Sequence, residues 1–419
     1  MRILYVLHQF YPEFHGGTER VTYNIARAAQ RAGHYAHILT CTVNPGRAGG
    51  MPSSDIRGAL HGSYGSLPVT RLPRQFLPPT ADISFDIDPA LADSLTLWIR
   101  RQRFSIVHVM HTMRMATALA AVQRSGLPFV VTLTDLFLPC FLVNMINLDG
   151  EICTASNQGR QCGQDCLVAP WNPAGLTQRY SQAAGLLSSA STRICPSEFL
   201  ANRFRMEYPD LDFRVIPHGV DLLPLAKHQR LIPEPPQQAI TLGFLGTIIP
   251  QKGIDTLVKA FSQVRDGRLK LRIAGGTYGN TAFFEQVRTA SAQDGRIEWL
   301  GHLAPEQAME FINSLDVLCI PSRVPESFSM VLHEAAALGK PALVTDLGAP
   351  KEFVVKHMAG RVLPHDDINA WKSAIADLCA DASLIESWRK RLWCPNRVEE
   401  EAFFYESLYR NHALQITAI

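Results

Sequence analysis

Short apolar segments alternate with amphipathic segments along the first half of the chain, a pattern typical of a parallel sheet covered by helices. Between the first two apolar runs, residues 19–32 repeat apolar positions at helical spacing, and Gly33 follows where a helix-ending glycine is expected. Residues 45–82 are rich in Gly, Pro and Ser and are interpreted as excursions from this core. The strands predicted in this half are residues 3–7, 36–39, 106–110, 129–133, 193–196 and 215–217.

The pattern is interrupted at residues 222–238, where a proline-rich, linker-like stretch predicts a hinge near residue 230. A second alternating series follows, with a helix over 254–264 and an amphipathic helix over 398–414 at the end. Its predicted strands are residues 240–245, 269–274, 297–300, 317–320 and 342–345.

These two series predict an α/β protein with two Rossmann-like domains that face an interdomain cleft, where ligands are expected. The expected N-terminal domain covers residues 1–225 and includes a cysteine-rich insertion at about 140–166. The expected C-terminal domain covers 226–394, and residues 395–419 are expected to return as a helix to the first domain.

Composition restricts the class of protein. A chain of 419 residues exceeds one ordinary core, and its apolar share of 47% is that of a soluble globular protein. The formal charge of +2 gives no reason to expect a nucleic-acid partner. No apolar run reaches transmembrane length, and the apolar start meets His8 and Gln9 without a cleavage site, as a first strand would. Nine cysteines, an odd number, favour a reducing cytoplasm.

One segment, residues 325–335, carries two acids eight positions apart. Glu326 falls in the loop after the predicted strand 317–320, and Glu334 falls in a helix predicted over 330–338. If most of the gap is helical, the rise is about 12 Å, which matches the span from sugar to ribose in a nucleotide sugar. The helix N-terminus between them suits a diphosphate. Two acids at a helix start are also common surface residues, so the other motifs decide between the readings.

Other strand ends carry residues suited to a phosphate or a nucleoside. Gly16 and Gly17 precede a helix and allow close approach of backbone to a ligand. Lys252 offers a point charge and Thr247 a hydroxyl after the first strand of the second series. Gly275 ends the next strand, where bare backbone suits a base or ribose. Each of these alone also fits an ordinary turn or a solvated lysine.

Taken together, these pieces resemble the family 4 glycosyltransferases, retaining enzymes of the two-domain GT-B superfamily with a glycogen-synthase-like C-terminal domain. The acid pair with seven intervening residues is the specific part, whereas the glycine motifs alone are not. The matching segments are Gly16-Gly17-Thr18-Glu19, Pro217-His218-Gly219-Val220-Asp221, Lys252-Gly253, Ala274-Gly275-Gly276, Glu326 with Glu334, and Gly348 with Glu352.

The resemblance implies a role for each matching residue. Glu326 and Lys252 would be catalytic, the first at the donor sugar and the second at the leaving diphosphate, with no cofactor required. Glu334 would bind the ribose. The donor-binding set implied by the resemblance is Gly16, Gly17, Thr247, Lys252, Gly275, Glu326, Phe328, Ser329, Met330 and Glu334.

Two positions depart from the family pattern. Thr247 stands where the family usually has arginine, and Thr134, followed by Asp135, stands where it often has histidine. His108 and His111 end an earlier strand of the same region. The candidates for the acceptor side are therefore His108, His111, Thr134 and Asp135. Each histidine also fits a satisfied structural role.

The predicted insertion holds four cysteines within 27 residues: Cys140, Cys153, Cys162 and Cys166. Four thiolates suit a tetrahedral structural zinc, and a polar insertion without helical periodicity needs a staple. Reduced thiols and disulfides are the alternatives.

The sequence therefore predicts a cytoplasmic retaining glycosyltransferase for surface polysaccharide or glycoconjugate synthesis. The resemblance implies a UDP- or GDP-sugar donor, a sugar or lipid-linked acceptor, and allows peripheral contact with the inner face of a membrane. A nucleotide-sugar epimerase of similar fold and a non-catalytic nucleotide-sugar-binding protein are the alternatives. A polysaccharide phosphorylase is a third, but no lysine-cofactor signature of such an enzyme stands out in this sequence.

Overall fold

A computed structural model describes residues 1–221, 239–277 and 279–416, with side chains up to residue 413. The chain forms two compact units, one of Met1–Gly219 with Val398–Ile419 and the other of Val220–Arg397. The sequence predicted the corresponding domain borders between residues 225 and 226 and between residues 394 and 395. The predicted linker and hinge lie outside the described residues.

The first unit is built on a mostly parallel sheet that contains nine strands among the described residues, in the order β3-β4-β5-β2-β1-β6-β7-β8-β9. Strand β1 is buried along nearly its whole length, as expected for an apolar run at the centre of a covered parallel sheet. The strands are β1 (Arg2–Leu7), β2 (Tyr35–Thr42), β3 (Met51–Pro52), β4 (Leu60–Tyr64), β5 (Leu67–Pro73), β6 (Ile106–Val109), β7 (Phe129–Thr132), β8 (Thr192–Cys195) and β9 (Arg214–Val215).

The interpretation of residues 45–82 as excursions is wrong for much of that segment. Strand β5 pairs in parallel with β2, and β4 pairs antiparallel with β5 in a hairpin. The sheet therefore extends through this segment, and polar residues such as Thr70 and Arg71 are buried within it.

Helices cover this sheet. The first begins at Gly17, directly after the β1 loop, and buries one face along its length. The described helices of this unit are α1 (Gly17–Arg31), α2 (Pro45–Ala48), α3 (Pro89–Arg101), α4 (Ala116–Ser125), α5 (Cys162–Asp165), α6 (Pro173–Ser189), α7 (Glu198–Glu207) and the last helix of the chain, Val398–Ile416.

The last helix belongs to the first unit. Its Glu401 accepts hydrogen bonds from the Gly219 N–H at 2.7 Å and contacts His218 Nδ1 at 2.8 Å. Its Tyr409 hydroxyl lies 2.6 Å from His108 Nδ1 beneath the sheet. These buried polar contacts bind the helix to this sheet, in addition to apolar packing.

The second unit has a fully parallel sheet with six strands among the described residues, in the order β12-β11-β10-β13-β14-β15. The chain proceeds outward in one direction from β10 and in the other from β13, so the strand order reverses between these two strands. Ligands of open parallel sheets bind at the carboxyl ends beside such a reversal. The strands are β10 (Ile240–Leu245), β11 (Leu269–Ala274), β12 (Ile297–Gly301), β13 (Val317–Ile320), β14 (Ala342–Thr345) and β15 (Gly360–Leu363).

Both faces of this second sheet are covered. Val317 and Cys319 of β13 face one apolar cluster, whereas Leu318 and Ile320 face another, as the two-residue period of a strand requires. The described helices are α8 (Ile254–Ser262), α9 (Thr281–Ser291), α10 (Pro305–Asn313), α11 (Met330–Ala337), α12 (Gly348–His357), α13 (Ile368–Ala380) and α14 (Ser383–Arg389), which makes the last helix of the chain α15. None of the helices in the described ranges is both long and apolar enough to span a bilayer.

Candidate active site

Lys252 and Glu326 meet at the strand-order reversal of the second sheet. Lys252 ends the 3-10 turn Pro250–Lys252 after β10, and Glu326 lies in the loop after β13. Lys252 Nζ donates to Glu326 Oε1 at 2.7 Å, although 74 positions separate them in the chain. Their side chains are 30% and 12% exposed, so a ligand can reach them. Two residues that came from separate sequence motifs are thus in direct contact.

The surroundings of Glu326 favour its ionised form. Its Oε1 also accepts a hydrogen bond from the Ser322 hydroxyl. Burial acts to raise the pKa of the Glu326 carboxyl, but the charge of Lys252 and the hydrogen bonds outweigh it and hold the pKa below its ordinary value. Glu326 is therefore a carboxylate at neutral pH, able to accept hydrogen bonds from sugar hydroxyls.

Gly348 holds the backbone of Glu326 in place. It has φ +68°, and a Cβ added there would lie 2.5 Å from both the nitrogen and the oxygen of Glu326. The next residue, Ala349, donates its N–H to the Glu326 carbonyl at 2.8 Å. Close backbone contact at Gly348 thus fixes the loop that carries the acid, a role that the sequence motif did not reveal.

Arg323 performs the corresponding task for Lys252. Its backbone N–H donates to Gln251 O at 2.8 Å, and its guanidinium donates to Pro250 O at 2.9 Å. The same guanidinium pairs with Asp255 at 2.8 Å. The loop after β13 thereby holds the turn that carries Lys252. No signal in the sequence singled out Arg323.

Helix α11 begins beside Glu326 with an unusual backbone conformation. Ser329 adopts φ +67°, and no side chain caps the helix. The Ser329 hydroxyl is buried beside the Glu326 carboxylate and contributes to lowering the pKa of that group. A strained, uncapped helix start is characteristic of anion sites, because its first N–H groups remain for a ligand. Phe328, Ser329 and Met330 were predicted to provide these groups, and they form this turn.

Glu334 lies one turn into α11 and is only 6% exposed. Neighbouring His333 stacks on Phe328 at 3.7 Å between ring centroids, and its Nδ1 contacts the Ser329 carbonyl at 3.0 Å. His333 therefore braces the helix start. The helix begins at Met330, as the sequence predicted, so three of the seven residues between the two acids lie in the loop and four in the helix.

Two further predicted donor residues follow β10 and β11. Thr247 lies half-buried in the loop after β10. Gly275 has φ +155°, and an added Cβ would lie 1.7 Å from the Gly246 carbonyl oxygen. The glycine at position 275 is thus explained by packing of the two loops, whether or not its backbone also contacts a ligand.

The sheet of the first unit reverses its strand order between β1 and β6, and predicted residues lie there too. Gly16 and Gly17 form the exposed start of α1 after β1. Glu19, the third residue of the helix, lies with its carboxylate close to the backbone of Gly16. A Cβ on Gly16 would lie 2.4 Å from Glu19 Oε2, so the motif is locally self-consistent. Burial raises the pKa of Glu19.

The predicted acceptor residues His111, Thr134 and Asp135 meet next to this helix start. His111 Nε2 donates to Asp135 Oδ2 at 2.7 Å, because the Met113 N–H occupies Nδ1 at 3.1 Å. The Thr18 hydroxyl donates to that of Thr134 at 3.2 Å. A polar cluster is thus built from the ends of β6 and β7 and the start of α1.

His8, which no motif singled out, joins the same cluster. It follows β1, its ring packs on His111 at 3.8 Å between centroids, and its Nε2 lies 3.9 Å from Glu19 Oε1. Burial lowers the pKa of His8 well below its usual value. Its position directly after an apolar strand was the only sequence signal.

His108 does not belong to this cluster, contrary to its assignment to the acceptor side. It is fully buried, with Nδ1 at 2.6 Å from the Tyr409 hydroxyl and Nε2 at 2.8 Å from Thr132 Oγ1. Burial lowers its pKa to about 3. It is a satisfied structural histidine beneath the last helix.

The four cysteines of the insertion do not form the predicted zinc centre. Within the described ranges, no group of three or more His, Cys, Asp or Glu side chains could hold a metal ion. Cys140 and Cys153 contribute to the main apolar cluster of the unit, whereas Cys162 and Cys166 pack with Phe141 in a separate one. Burial raises the pKa of all four thiols, and the neighbouring thiols of Cys140, Cys153 and Cys166 raise that of Cys162 further.

Each of the two units matches a family profile of known proteins. The family profile described as Glycosyltransferase Family 4 matches residues 15–222, and the profile described as Glycosyl transferases group 1 matches residues 227–392. Together they leave only the two ends and four intervening residues unmatched.

Two curated relatives match about half of the chain. A lipopolysaccharide 1,2-N-acetylglucosaminetransferase of Salmonella typhimurium is 29% identical over 205 residues, 44% of this chain and 53% of that protein. A phosphatidyl-myo-inositol mannosyltransferase of Mycolicibacterium smegmatis is 31% identical over 195 residues, 46% of this chain and 49% of that protein. The chain spans about half the length of these curated relatives.

A solved structure covers nearly the whole chain. The Anabaena protein HepE, crystallised with UDP and glucose, is similar with a TM-score of 0.67 and 16% identity over 97% of this chain and 99% of that one. This likeness shows the fold. With the two family profiles and the two parallel sheets, it leads to one assignment: the chain belongs to the family 4 glycosyltransferases, with the GT-B fold of two Rossmann-like domains.

Proposed function

We propose that this chain is a retaining glycosyltransferase, which transfers a sugar from a nucleotide-sugar donor to a hydroxyl of an acceptor in glycoconjugate or surface polysaccharide synthesis. The observation that carries the proposal is the Lys252–Glu326 contact of 2.7 Å beside the uncapped start of α11. It combines a hydrogen-bond acceptor for a sugar with a cation and the N–H groups of a helix start for a diphosphate.

Charge develops on the diphosphate as the bond to the sugar breaks. The Lys252 ammonium has three N–H donors and uses one on Glu326, so two remain for phosphate oxygens. A phosphate bound at the start of α11 would also face the N–H groups of the first helical turn. Donors held in place before the reaction stabilise the leaving group without reorganisation. The proposed chemistry needs no metal, because these groups supply the positive charge.

The same segment accounts for the rest of the donor. Glu326, as a carboxylate, would accept hydrogen bonds from sugar hydroxyls, and Glu334 from the ribose. Gly275 and Thr247 would lie near the base and the phosphates. Crystals of HepE with UDP and glucose support a UDP-sugar as the first donor to examine. A GDP-sugar is the alternative.

The acceptor would meet the polar cluster of the first unit, with His111, Asp135 and Thr134 at its centre and Gly16 and Gly17 at its edge. The names of the curated relatives include a lipopolysaccharide and a phosphatidylinositol substrate. They support a sugar or lipid-linked acceptor here, and a lipid-linked one would bring the enzyme to a membrane surface.

A panel of UDP- and GDP-sugars tests the proposal by thermal shift and by release of the nucleoside diphosphate. A donor that binds the native state raises its melting temperature. Lys252→Met should then abolish diphosphate release but keep some binding, whereas Lys259→Met, an exposed lysine on α8, serves as the matched control. Binding without release, with every acceptor supplied, would identify a nucleotide-sugar-binding protein, and conversion to an epimeric sugar would identify an epimerase.

A further inference from the structure

A cluster of aromatic rings lies beside the loop that leads to Gly16. Tyr11 stacks on Tyr64 at 4.8 Å between centroids and 11° between planes. Tyr23 meets both edge-on, at 5.8 Å and 5.6 Å. The exposed ring of His15 meets Tyr11 edge-on at 4.9 Å. These four residues are named the tyrosine platform.

Three separate elements build the platform. Tyr11 and His15 belong to the loop after β1, Tyr23 to α1, and Tyr64 to the end of β4. This convergence depends on the β4–β5 hairpin, which the sequence analysis had treated as an excursion. Rings that come from three elements are held in one arrangement by the fold.

The loop that carries Tyr11 and His15 is held to the sheet by hydrogen bonds to the end of β2 and to β5. Glu13 accepts hydrogen bonds from the Thr42 hydroxyl at 2.6 Å and from the Asn44 N–H at 2.7 Å, at the end of β2. Arg71 of β5 donates to the Tyr11 carbonyl at 3.0 Å. Rings fixed before binding lose little entropy when a ligand settles on them.

The platform lies at the edge of the apolar core, where the buried ring of Phe10 meets Tyr11 and Tyr64 edge-on. Its three tyrosines are half-buried, and none of their hydroxyls bonds to another residue in the described part of the chain. By contrast, the buried hydroxyls of Tyr405 and Tyr409 bond to Thr132 and His108. Partly exposed tyrosine rings whose hydroxyls make no hydrogen bond within the protein are typical of ligand-binding surfaces, since tyrosine combines an apolar ring with a polar hydroxyl.

His15 adds a polar acceptor at the edge. Its Nε2 donates to the Pro12 carbonyl at 3.1 Å, which leaves Nδ1 with its lone pair on an exposed side chain. Since His15 directly precedes Gly16, the platform adjoins the edge of the polar cluster where the acceptor is proposed to bind.

We propose that the tyrosine platform binds a pyranose ring of the acceptor, an inference that rests on the transferase function proposed above. A pyranose presents an apolar C–H face and a rim of hydroxyls, which match the ring faces and the free hydroxyls of the platform. A lipid chain would leave those hydroxyls unused, and the nucleobase is already assigned to the second unit. The acceptor is therefore a glycan or glycolipid whose sugar is recognised by stacking.

Ligand-observed NMR on the full chain tests this with three probes: methyl α-D-glucopyranoside, methyl α-D-mannopyranoside and methyl N-acetyl-α-D-glucosaminide. At least one should bind. Tyr64→Leu should weaken that binding roughly fivefold, the size expected for one lost aromatic contact. Tyr64→Phe keeps the ring and should retain affinity within about twofold to threefold. Phe404→Leu, an exposed ring on α15, is the matched control and should change nothing.

The outcomes separate the platform from the transferase function, because UDP is titrated into the same variants. Equal glycoside binding by wild type and Tyr64→Leu, with UDP binding intact, would overturn the platform alone and show a packing role for the rings. Failure of all three glycosides to bind would also overturn it. Glycoside binding that depends on Tyr64, without turnover of any nucleotide sugar, would support the platform and reject the transferase. If Tyr64→Leu does not fold, the exposed variant His15→Ala replaces it, and weaker glycoside binding is again expected.

Discussion

Replacing Gly348 with alanine should reduce turnover through the backbone of Glu326. The residue adopts φ +68°, a conformation that costs an L-residue about 1–2 kcal/mol. The new Cβ would begin 2.5 Å from the nitrogen and oxygen of Glu326, whereas ordinary contact starts at 3.4 Å. The Glu326 loop must therefore move by about 0.9 Å, and a misplacement of about 1 Å can cost on the order of 100-fold in rate.

Gly339 provides a matched control for this substitution. It has φ +72° at the end of α11, with nothing within 4 Å of an added Cβ. Gly339→Ala should lower the free energy of unfolding by the same conformational cost and leave kcat unchanged. Calorimetric unfolding and initial rates of diphosphate release measure the two effects. If Gly348→Ala retains the wild-type kcat, or if Gly339→Ala loses as much, the contact with Glu326 does not position the acid.

The remaining predictions concern the two acids. Glu326→Gln should nearly abolish kcat while nucleoside diphosphate binding persists, because the lost interaction acts mainly in the transition state; a wild-type kcat would remove Glu326 from the site. Glu334→Ala should weaken binding of the free diphosphate by about 1.5–3 kcal/mol in calorimetry, since the ribose loses a charged acceptor; unchanged affinity would make Glu334 structural. Because the pKa of Glu326 is held below its ordinary value, its pair with Lys252 should contribute stability above the ordinary pKa of about 4.3 and lose that contribution as the pH falls through the lower folded-state value. The stability difference between wild type and Glu326→Gln should thus shrink between about pH 7 and pH 3, and a constant difference would contradict the assignment.

Local patterns were sufficient where one element could be recognised without its neighbours. Strands β10, β11, β13 and β14 begin and end at the residues predicted for them. A strand buried on both faces of a parallel sheet is an unbroken apolar run, and that signal needs no partner. Placement of Glu326 in a loop and Glu334 in a helix was confirmed for the same reason.

Residues 60–73 show where local patterns fail. Their Gly, Pro and Ser residues suggested an excursion from the core, yet β4 and β5 extend the first sheet. Arg71 is buried there because its guanidinium can donate to the Tyr11 carbonyl, an acceptor 60 positions away. The insertion shows the opposite case, in which closeness along the chain predicted a site that the described side chains do not form. Its four cysteines suggested a metal centre but are divided between two apolar clusters.

What the sequence alone determined was therefore most of the buried parallel strands, the two-unit organisation and the chemistry-bearing residues at the strand ends. Only the tertiary structure decided which of those ends meet. Lys252 touches Glu326 because β10 and β13 are neighbours in the sheet, and His108 is lost to the site because its strand turns that side chain under α15. Strand order depends on how several amphipathic layers pack at once, so no single segment encodes it.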